Sequence, residues 1–148
     1  MWNKVKSQKD ADALMELFGG FHDGCIKEMK YISGEYVNEE LSMYPFNSLR
    51  DLYVIFQHQY RNPSAIEVVF SRLIRMNLAP QDEQFNGIIL GACIAVNEDG
   101  VIWVDDDWVK AENIGEALNE GNTWIKAGEM KWRVADEYIG SEEVYINR

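Results

Sequence analysis

The stretch "DLYVIFQHQYRNPSAIEVVF", residues 51–70, decides the fold. Apolar and polar side chains alternate along its first half, and one face would carry Leu52, Val54, Phe56 and His58. Its second half alternates in the same way, with Ile66, Val68 and Phe70 together. A period of two is typical of β-strands, and Asn62-Pro63 between the halves favours a turn. Two strands joined by so short a turn must pair antiparallel.

The alternation changes register close to Arg72. The next apolar positions after Phe70 are Leu73, Ile74, Met76 and Leu78. One extra residue in a strand produces such a shift, so the pattern predicts a β-bulge near Arg72.

A helix precedes these strands. Ser7 is a favourable N-cap, and apolar side chains recur at helical spacing at Ala11, Leu14, Met15 and Phe18. Gly19-Gly20 follows, and glycine readily adopts the left-handed conformation that ends helices. The sequence therefore predicts one short amphipathic helix over residues 8–18.

Further strand-like segments fill the rest of the chain. Residues 25–37 are strand-like with a break at Ser33-Gly34, and Asp99-Gly100 predicts a hairpin between 87–96 and 101–105. Gly128 predicts a second hairpin between 123–127 and 129–134, and residues 109–122 suit a loop with a helical turn. We therefore expect a single domain, 1–148. Its predicted class is α+β: a mostly antiparallel, curved, meandering sheet of about seven strands with one short N-terminal helix.

The charge of the chain restricts its partners. The formal net charge is −11, and residues 97–148 hold 13 acids against five bases. Such a surface repels phosphate backbones and anionic lipid, so we expect no nucleic acid and no membrane partner. A basic protein partner is the electrostatically compatible one, although acidity also serves solubility alone.

Several functional classes lack their sequence signals. The two cysteines, Cys25 and Cys93, have no metal-ligand spacing, no signal peptide is visible, and the longest apolar stretch is too short for a membrane span. A cytoplasmic location with reduced thiols is the simplest expectation. No nucleophile elbow, P-loop, dinucleotide fingerprint or zinc-protease motif is present, which favours a non-enzymatic protein with no cofactor.

The run "VDDDW", residues 104–108, is the candidate partner-binding site. Carboxylates beside an indole are typical of a surface that receives Lys or Arg. The predicted contact residues are Asp105, Asp106, Asp107, Trp108 and Glu112. An alternative remains open, in which the acids protect a sheet edge and the tryptophan closes the core.

The stretch "LFGGFHDGCI", residues 17–26, holds the candidate reactive residues. Cys25 follows a helix C-terminus, where the helix dipole disfavours a thiolate nucleophile. His22, Asp23 and His58 have side chains suited to a divalent metal ion, so a metal-dependent enzyme or metal-binding protein is the alternative function. The structural interpretation is a helix stop and a hydrogen-bonded turn before the first long strand. A homo-oligomeric structural domain is a second alternative.

Four stretches carry a resemblance to known proteins: "FHDGCIKEMKY", "FQHQYRNPSAIEVVF", "DGVIWVDDDW" and "TWIKAGEMKWR". Together with the N-terminal helix they resemble an uncharacterised family of small bacterial proteins. They are also loosely similar to immunity proteins that accompany polymorphic toxins. The resemblance implies a cytoplasmic protein that binds and blocks a toxin, and it implies no catalytic residues.

Overall fold

A computed structural model describes residues 1–147. The helix α1 spans Gln8–Leu17, and Ser7 caps it by accepting a hydrogen bond from the backbone N–H of Asp10. Nine strands follow or precede it: β1 Asn3–Lys4, β2 Gly24–Ile32, β3 Tyr36–Val37, β4 Met43–Tyr44, β5 Asp51–His58, β6 Ala65–Asn77, β7 Cys93–Asn97, β8 Gly100–Val104 and β9 Trp124–Val134. Short 3₁₀ helices occupy Gly19–Phe21, Ala111–Ala117, Asp136–Tyr138 and Tyr145–Asn147. The predicted helix and its cap are confirmed.

Seven strands form one antiparallel sheet in the order β2-β5-β6-β9-β8-β7, with β1 added alongside β9. The predicted α+β class, dominated by an antiparallel sheet, is confirmed. The first hairpin joins β5 to β6, and Asp99-Gly100 turns β7 into β8 as predicted. Strand β9 is central, because β6 pairs along one side while β8 and β1 share the other.

The main core lies between one face of the sheet and α1. The predicted inward residues of β5 and β6 are all buried, and Ala11, Leu14 and Phe18 of the helix pack with them. Phe21, in the turn after the helix, is also fully buried and contacts Phe56 edge-to-face, with ring centroids 5.0 Å apart. Burial of this many apolar side chains is the main stabilising contribution to the fold.

The sheet curves far enough for its two edges to approach each other. Gly24, at the start of edge strand β2, forms a bridge with Ile89, which precedes the opposite edge strand β7. The backbone N–H of Ala92 also donates to the carbonyl of Gly20 at 2.9 Å. The sheet is strongly curved but remains an open sheet, not a closed barrel.

The second predicted hairpin, around Gly128, is wrong. Residues 124–134 form one continuous strand, β9, that pairs with β6 from Ile66 to Asn77. Gly128 is instead a point of close packing, because a Cβ built there would lie 2.8 Å from the guanidinium of Arg72. Arg72 has a left-handed φ of +54°, and the register shifts between Leu73 and Arg75, so the predicted bulge is confirmed.

A small two-stranded sheet, β3–β4, stands apart from the main sheet. The rings of Tyr36 and Tyr44 stack across it with centroids 4.8 Å apart. Its apolar side chains are exposed, Leu41 at its tip by 82% and Met43 by 63%. Strand β4, Met43–Tyr44, was not predicted from the sequence.

The outer face of the sheet is covered in two places. The 3₁₀ helix Ala111–Ala117 packs Ile114 and Ala117 against β7 and β8. The segment after β9 covers the other end, where the Glu28 carboxylate accepts hydrogen bonds from the backbone N–H groups of Val144 and Tyr145. Within the described residues, no helix combines the length and apolar character that crossing a bilayer requires.

Candidate functional site

The acidic loop, residues 105–108, leaves the sheet at the end of β8. The backbone N–H of Asp105 still continues the sheet, donating to the carbonyl of Thr123 at 2.9 Å. Oδ1 of Asp106 then accepts from the backbone N–H groups of Trp108 at 2.7 Å and Val109 at 3.1 Å. Aspartate commonly fixes a turn in this way. The second carboxylate of the loop therefore stabilises its turn.

Trp108 projects from this loop into solvent and is 92% exposed. It forms one side of a shallow recess of about 210 Å³, which Asp106, Val109, Glu116 and Ala117 complete. The other tryptophans of this half of the chain differ, since Trp103 is fully buried and Trp124 and Trp132 are half-buried. The alternative in which Trp108 closes the core is therefore wrong, and the indole is available for contact.

The three aspartates have different environments. Asp105 is partly buried, and burial together with the neighbouring charges of Asp106 and Asp107 raises its pKa to about 6. Asp107 is exposed, with its Cβ packed close to Gly91. The carboxylates free to meet a partner are therefore those of Asp107 and, on the following 3₁₀ helix, Glu112 and Glu116.

The turn Gly19–Gly24 confirms the structural interpretation of the histidine in part. The Nδ1 atom of His22 lies 2.6 Å from the carbonyl oxygen of Leu90, and Nε2 lies 3.4 Å from Oδ2 of Asp23. The same Asp23 oxygen accepts a hydrogen bond from the Tyr60 hydroxyl at 3.0 Å. These contacts tie the turn to two other loops. The His22 side chain is nonetheless 52% exposed, so its burial contributes little to the stability of the fold.

His58 belongs to the core. Its ring stacks on Phe18 with centroids 3.8 Å apart, and its Nε2 lies 2.7 Å from the carbonyl oxygen of Pro63. Tyr60 links this side chain to the turn, with ring centroids 5.2 Å from His58 and 6.4 Å from His22. In the described part of the chain, no three His, Cys, Asp or Glu side chains are grouped so that they could hold a metal ion.

The segment 89–92 brings the two candidate sites to the same rim of the molecule. Leu90 receives the contact from His22, and the next residue, Gly91, packs against Asp107. Leu90 itself is 67% exposed. The His22 turn and the acidic loop therefore border a common surface, although they are more than 80 residues apart in sequence.

Comparisons with known proteins identify no relative: no family model, no curated protein and no solved structure matches the chain. Function is therefore inferred from the chemistry of the rim itself. The acidic loop offers hydrogen-bond acceptors and one exposed indole, whereas the His22 turn offers side chains that already bond to each other and to the backbone.

Sequence reasoning missed two surfaces. The hairpin β3–β4 exposes apolar side chains that a strand pattern alone would place in a core. A groove beside Gly128 was also missed, because Gly128 was interpreted as a turn. The change of apolar register near Arg72 was the available signal for the second surface.

Proposed function

We propose that the chain is a non-enzymatic binding module that engages a basic protein partner through the acidic loop, with Trp108 as the apolar anchor. The observation that carries the proposal is the 92% exposure of Trp108 within a loop fixed by Asp106. An indole this exposed gains almost no hydrophobic free energy from folding, whereas tryptophan is among the residues that dominate binding energy at interfaces.

The fixed loop supports this role energetically. Association costs free energy when loops and side chains must become ordered. Because two backbone N–H groups already bind Asp106, the acidic loop has much of its conformational entropy removed before a partner arrives. A loop whose backbone is already ordered costs less free energy to bind, which favours affinity.

The charges around Trp108 favour a cationic partner. Glu116 lines the same recess as the indole, and the exposed acids Asp107 and Glu112 lie within four residues of Trp108 in the sequence. Lys110 is the one base between residues 105 and 116. Lys or Arg of a partner would pair with these carboxylates and contact the indole face. Such charge complementarity raises association rates above the roughly 10⁵–10⁶ M⁻¹s⁻¹ of neutral surfaces. The resemblance to immunity proteins makes a protein toxin the first partner to test.

The test is capture of a partner by the wild-type chain and by paired variants at increasing salt. Trp108→Ala and the double variant Asp107→Asn/Glu112→Gln should each weaken capture, and salt should weaken wild-type capture, because exposed charge pairs are screened over about 8 Å at physiological ionic strength. Asp106 is left intact so that the loop keeps its turn.

Matched controls come from the hairpin β3–β4 and its flank. Phe46→Ala removes an aromatic side chain that is 68% exposed, and Glu39→Gln/Glu40→Gln removes the same charge as the acidic double variant. Both controls should capture the partner like the wild type. A partner whose capture ignores salt and the acidic-loop variants would exclude the proposal.

A further inference from the structure

A groove interrupts the side of β9 that faces β8 and β1. Strand β8 pairs with β9 only as far as Ala127, and β1 pairs with it from Lys131 onward. Gly128 and Glu129 therefore have no paired residue on this side, although Gly100 of β8 still lies close to Gly128, since a Cβ built on Gly100 would be 3.0 Å from the Cα of Gly128. The opening encloses about 470 Å³, within the roughly 300–1,000 Å³ typical of small-molecule sites.

The sheet bends at the same place. In β6 every second residue faces the core up to Phe70, but the next core-facing residue is Leu73, three positions later. In β9 the core-facing residues Ile125 and Ala127 are followed by Met130, again three positions later. Ser71 pairs with Glu129 between these two changes, so both strands switch faces together. The left-handed φ of Arg72 accompanies the bend. The groove is thus built into the backbone and does not depend on one side-chain rotamer.

Arg72 is directed over this groove by two further features. Gly128 has no side chain, and a Cβ there would meet the guanidinium at 2.8 Å, so the guanidinium lies across the backbone of β9. Its Nη2 atom is 3.4 Å from Oε1 of Glu129, with both side chains more than half exposed. A long, exposed ion pair of this kind is weak, so the guanidinium remains able to bind another anion.

The charge of the groove is opposite to that of the chain. Its rim carries four cationic side chains: Lys4, Lys6, Arg72 and Lys131. Two acids, Glu98 and Glu129, leave it with a formal charge of +2 in a chain of −11. Its floor is apolar, because Val5, Val101 and Met130 are buried beneath it. A cationic rim above an apolar floor suits a molecule that has an anionic group on an apolar body.

We infer that this groove is a binding site for a small organic anion, with Arg72 as the residue that holds its carboxylate or phosphate group. The site shares no residue with the acidic loop, so it is independent of the proposed partner surface. Arginine presents its donors in a planar fork that fits both oxyanions. The ligand's apolar part would lie over Val101 and Met130.

The experiment is a titration of the ¹⁵N-labelled chain, followed by NMR, with phenyl phosphate, benzoate and neutral benzamide. Phenyl phosphate or benzoate should cause saturable shifts confined to amides of the groove, residues 4–6, 71–72, 96–101 and 128–131. The anion that binds more tightly identifies the preferred anionic group. Benzamide should cause none. Arg72→Gln should weaken the binding about tenfold or more, since a charge-assisted hydrogen bond is lost.

Arg75→Gln is the matched control, because Arg75 is an exposed cation on the same strand outside the groove. It should bind the anionic probe like the wild type. Lys131→Gln provides a second groove variant if Arg72→Gln fails to give a folded spectrum, and it too should weaken binding. Absence of saturable shifts with both anions, shifts elsewhere, or equal binding by the groove variants and Arg75→Gln would overturn the inference.

Discussion

The Nε atom of Arg133 lies 3.0 Å from Oε1 of Glu67, a carboxylate that is fully buried on the outer face of the sheet. The other carboxylate oxygen accepts a hydrogen bond from the Tyr145 hydroxyl at 2.7 Å. Arg133 also binds Glu137 at 2.8 Å. The pair therefore connects β6, β9 and the segment that follows β9.

Removing the cation from this pair should be costly. Arg133→Ala leaves the Glu67 charge buried with fewer partners, and we expect the free energy of unfolding to fall by about 3–5 kcal/mol. Urea denaturation measures the loss. Arg75→Ala, an exposed arginine on the neighbouring strand, should change it by about 0.5 kcal/mol or less. Equal effects of the two substitutions would contradict a structural role for the Glu67–Arg133 pair.

Asp105 should make stability depend on pH. Its pKa of about 6 in the folded chain lies above its ordinary value, because burial and two adjacent carboxylates disfavour the charge. The folded state therefore binds more protons than the unfolded state between about pH 4 and 6, and stability falls as pH rises through this window. Above it, the ionised carboxylate destabilises the fold.

Asp105→Asn should relieve this effect. We expect the variant to be more stable than wild type at pH 7.5 by about 1 kcal/mol, a value reduced because water still reaches the carboxyl, and the advantage should vanish near pH 4. Thermal melts across this range measure it. Asp107→Asn, at an exposed neighbour, should show a smaller dependence on pH. A pH-independent difference for Asp105→Asn would refute the assignment.

The two histidines should differ in their contribution to stability. His58→Ala removes a buried ring stacked on Phe18 and its bond to Pro63, so we expect a loss of about 2–4 kcal/mol. His22→Ala removes one contact from a half-exposed side chain and should cost about 1 kcal/mol or less. Chemical denaturation compares them. A larger loss for His22→Ala would reverse the structural assignment of the two side chains.

Divalent metal ions should not stabilise the chain. Among the described residues, His22, Asp23 and His58 are not part of any group of three His, Cys, Asp or Glu side chains that could hold a metal ion. A ligand specific to the native state raises the melting midpoint by mass action. We therefore expect melts with Zn²⁺, Mn²⁺ or Ca²⁺ to match those with chelator. A rise that His22→Ala abolishes would favour the metal-dependent alternative.

Local signals in the sequence predicted much of the fold. The Ser7 cap, the Gly19-Gly20 stop and the Asp99-Gly100 turn each act within a few residues, and each lies where it was predicted. The bulge near Arg72 could also be predicted from the sequence, because one extra residue in a strand reverses which side chains face the core.

Contacts between residues far apart in the sequence could not be predicted from such local signals. Gly128 satisfies the local rules for a turn, but its lack of a side chain accommodates Arg72 from another strand. The approach of Gly91 to Asp107, and of Leu90 to His22, depends on the curvature of the whole sheet. The acidic loop was recognised from composition, whereas the exposure of Trp108 and burial of Trp103 required the structure.

The central position of β9 has a consequence for synthesis of the protein on the ribosome. Strand β6 has Trp124–Val134 as one of its two neighbours, and β1 at the very start of the chain pairs with the same strand. At about 5–20 residues per second, several seconds separate translation of β6 from that of β9. During this interval β6 of the nascent chain presents an unpaired edge. The sheet can be completed only after residues 124–134 have emerged, and a chaperone that binds exposed strands could act before then.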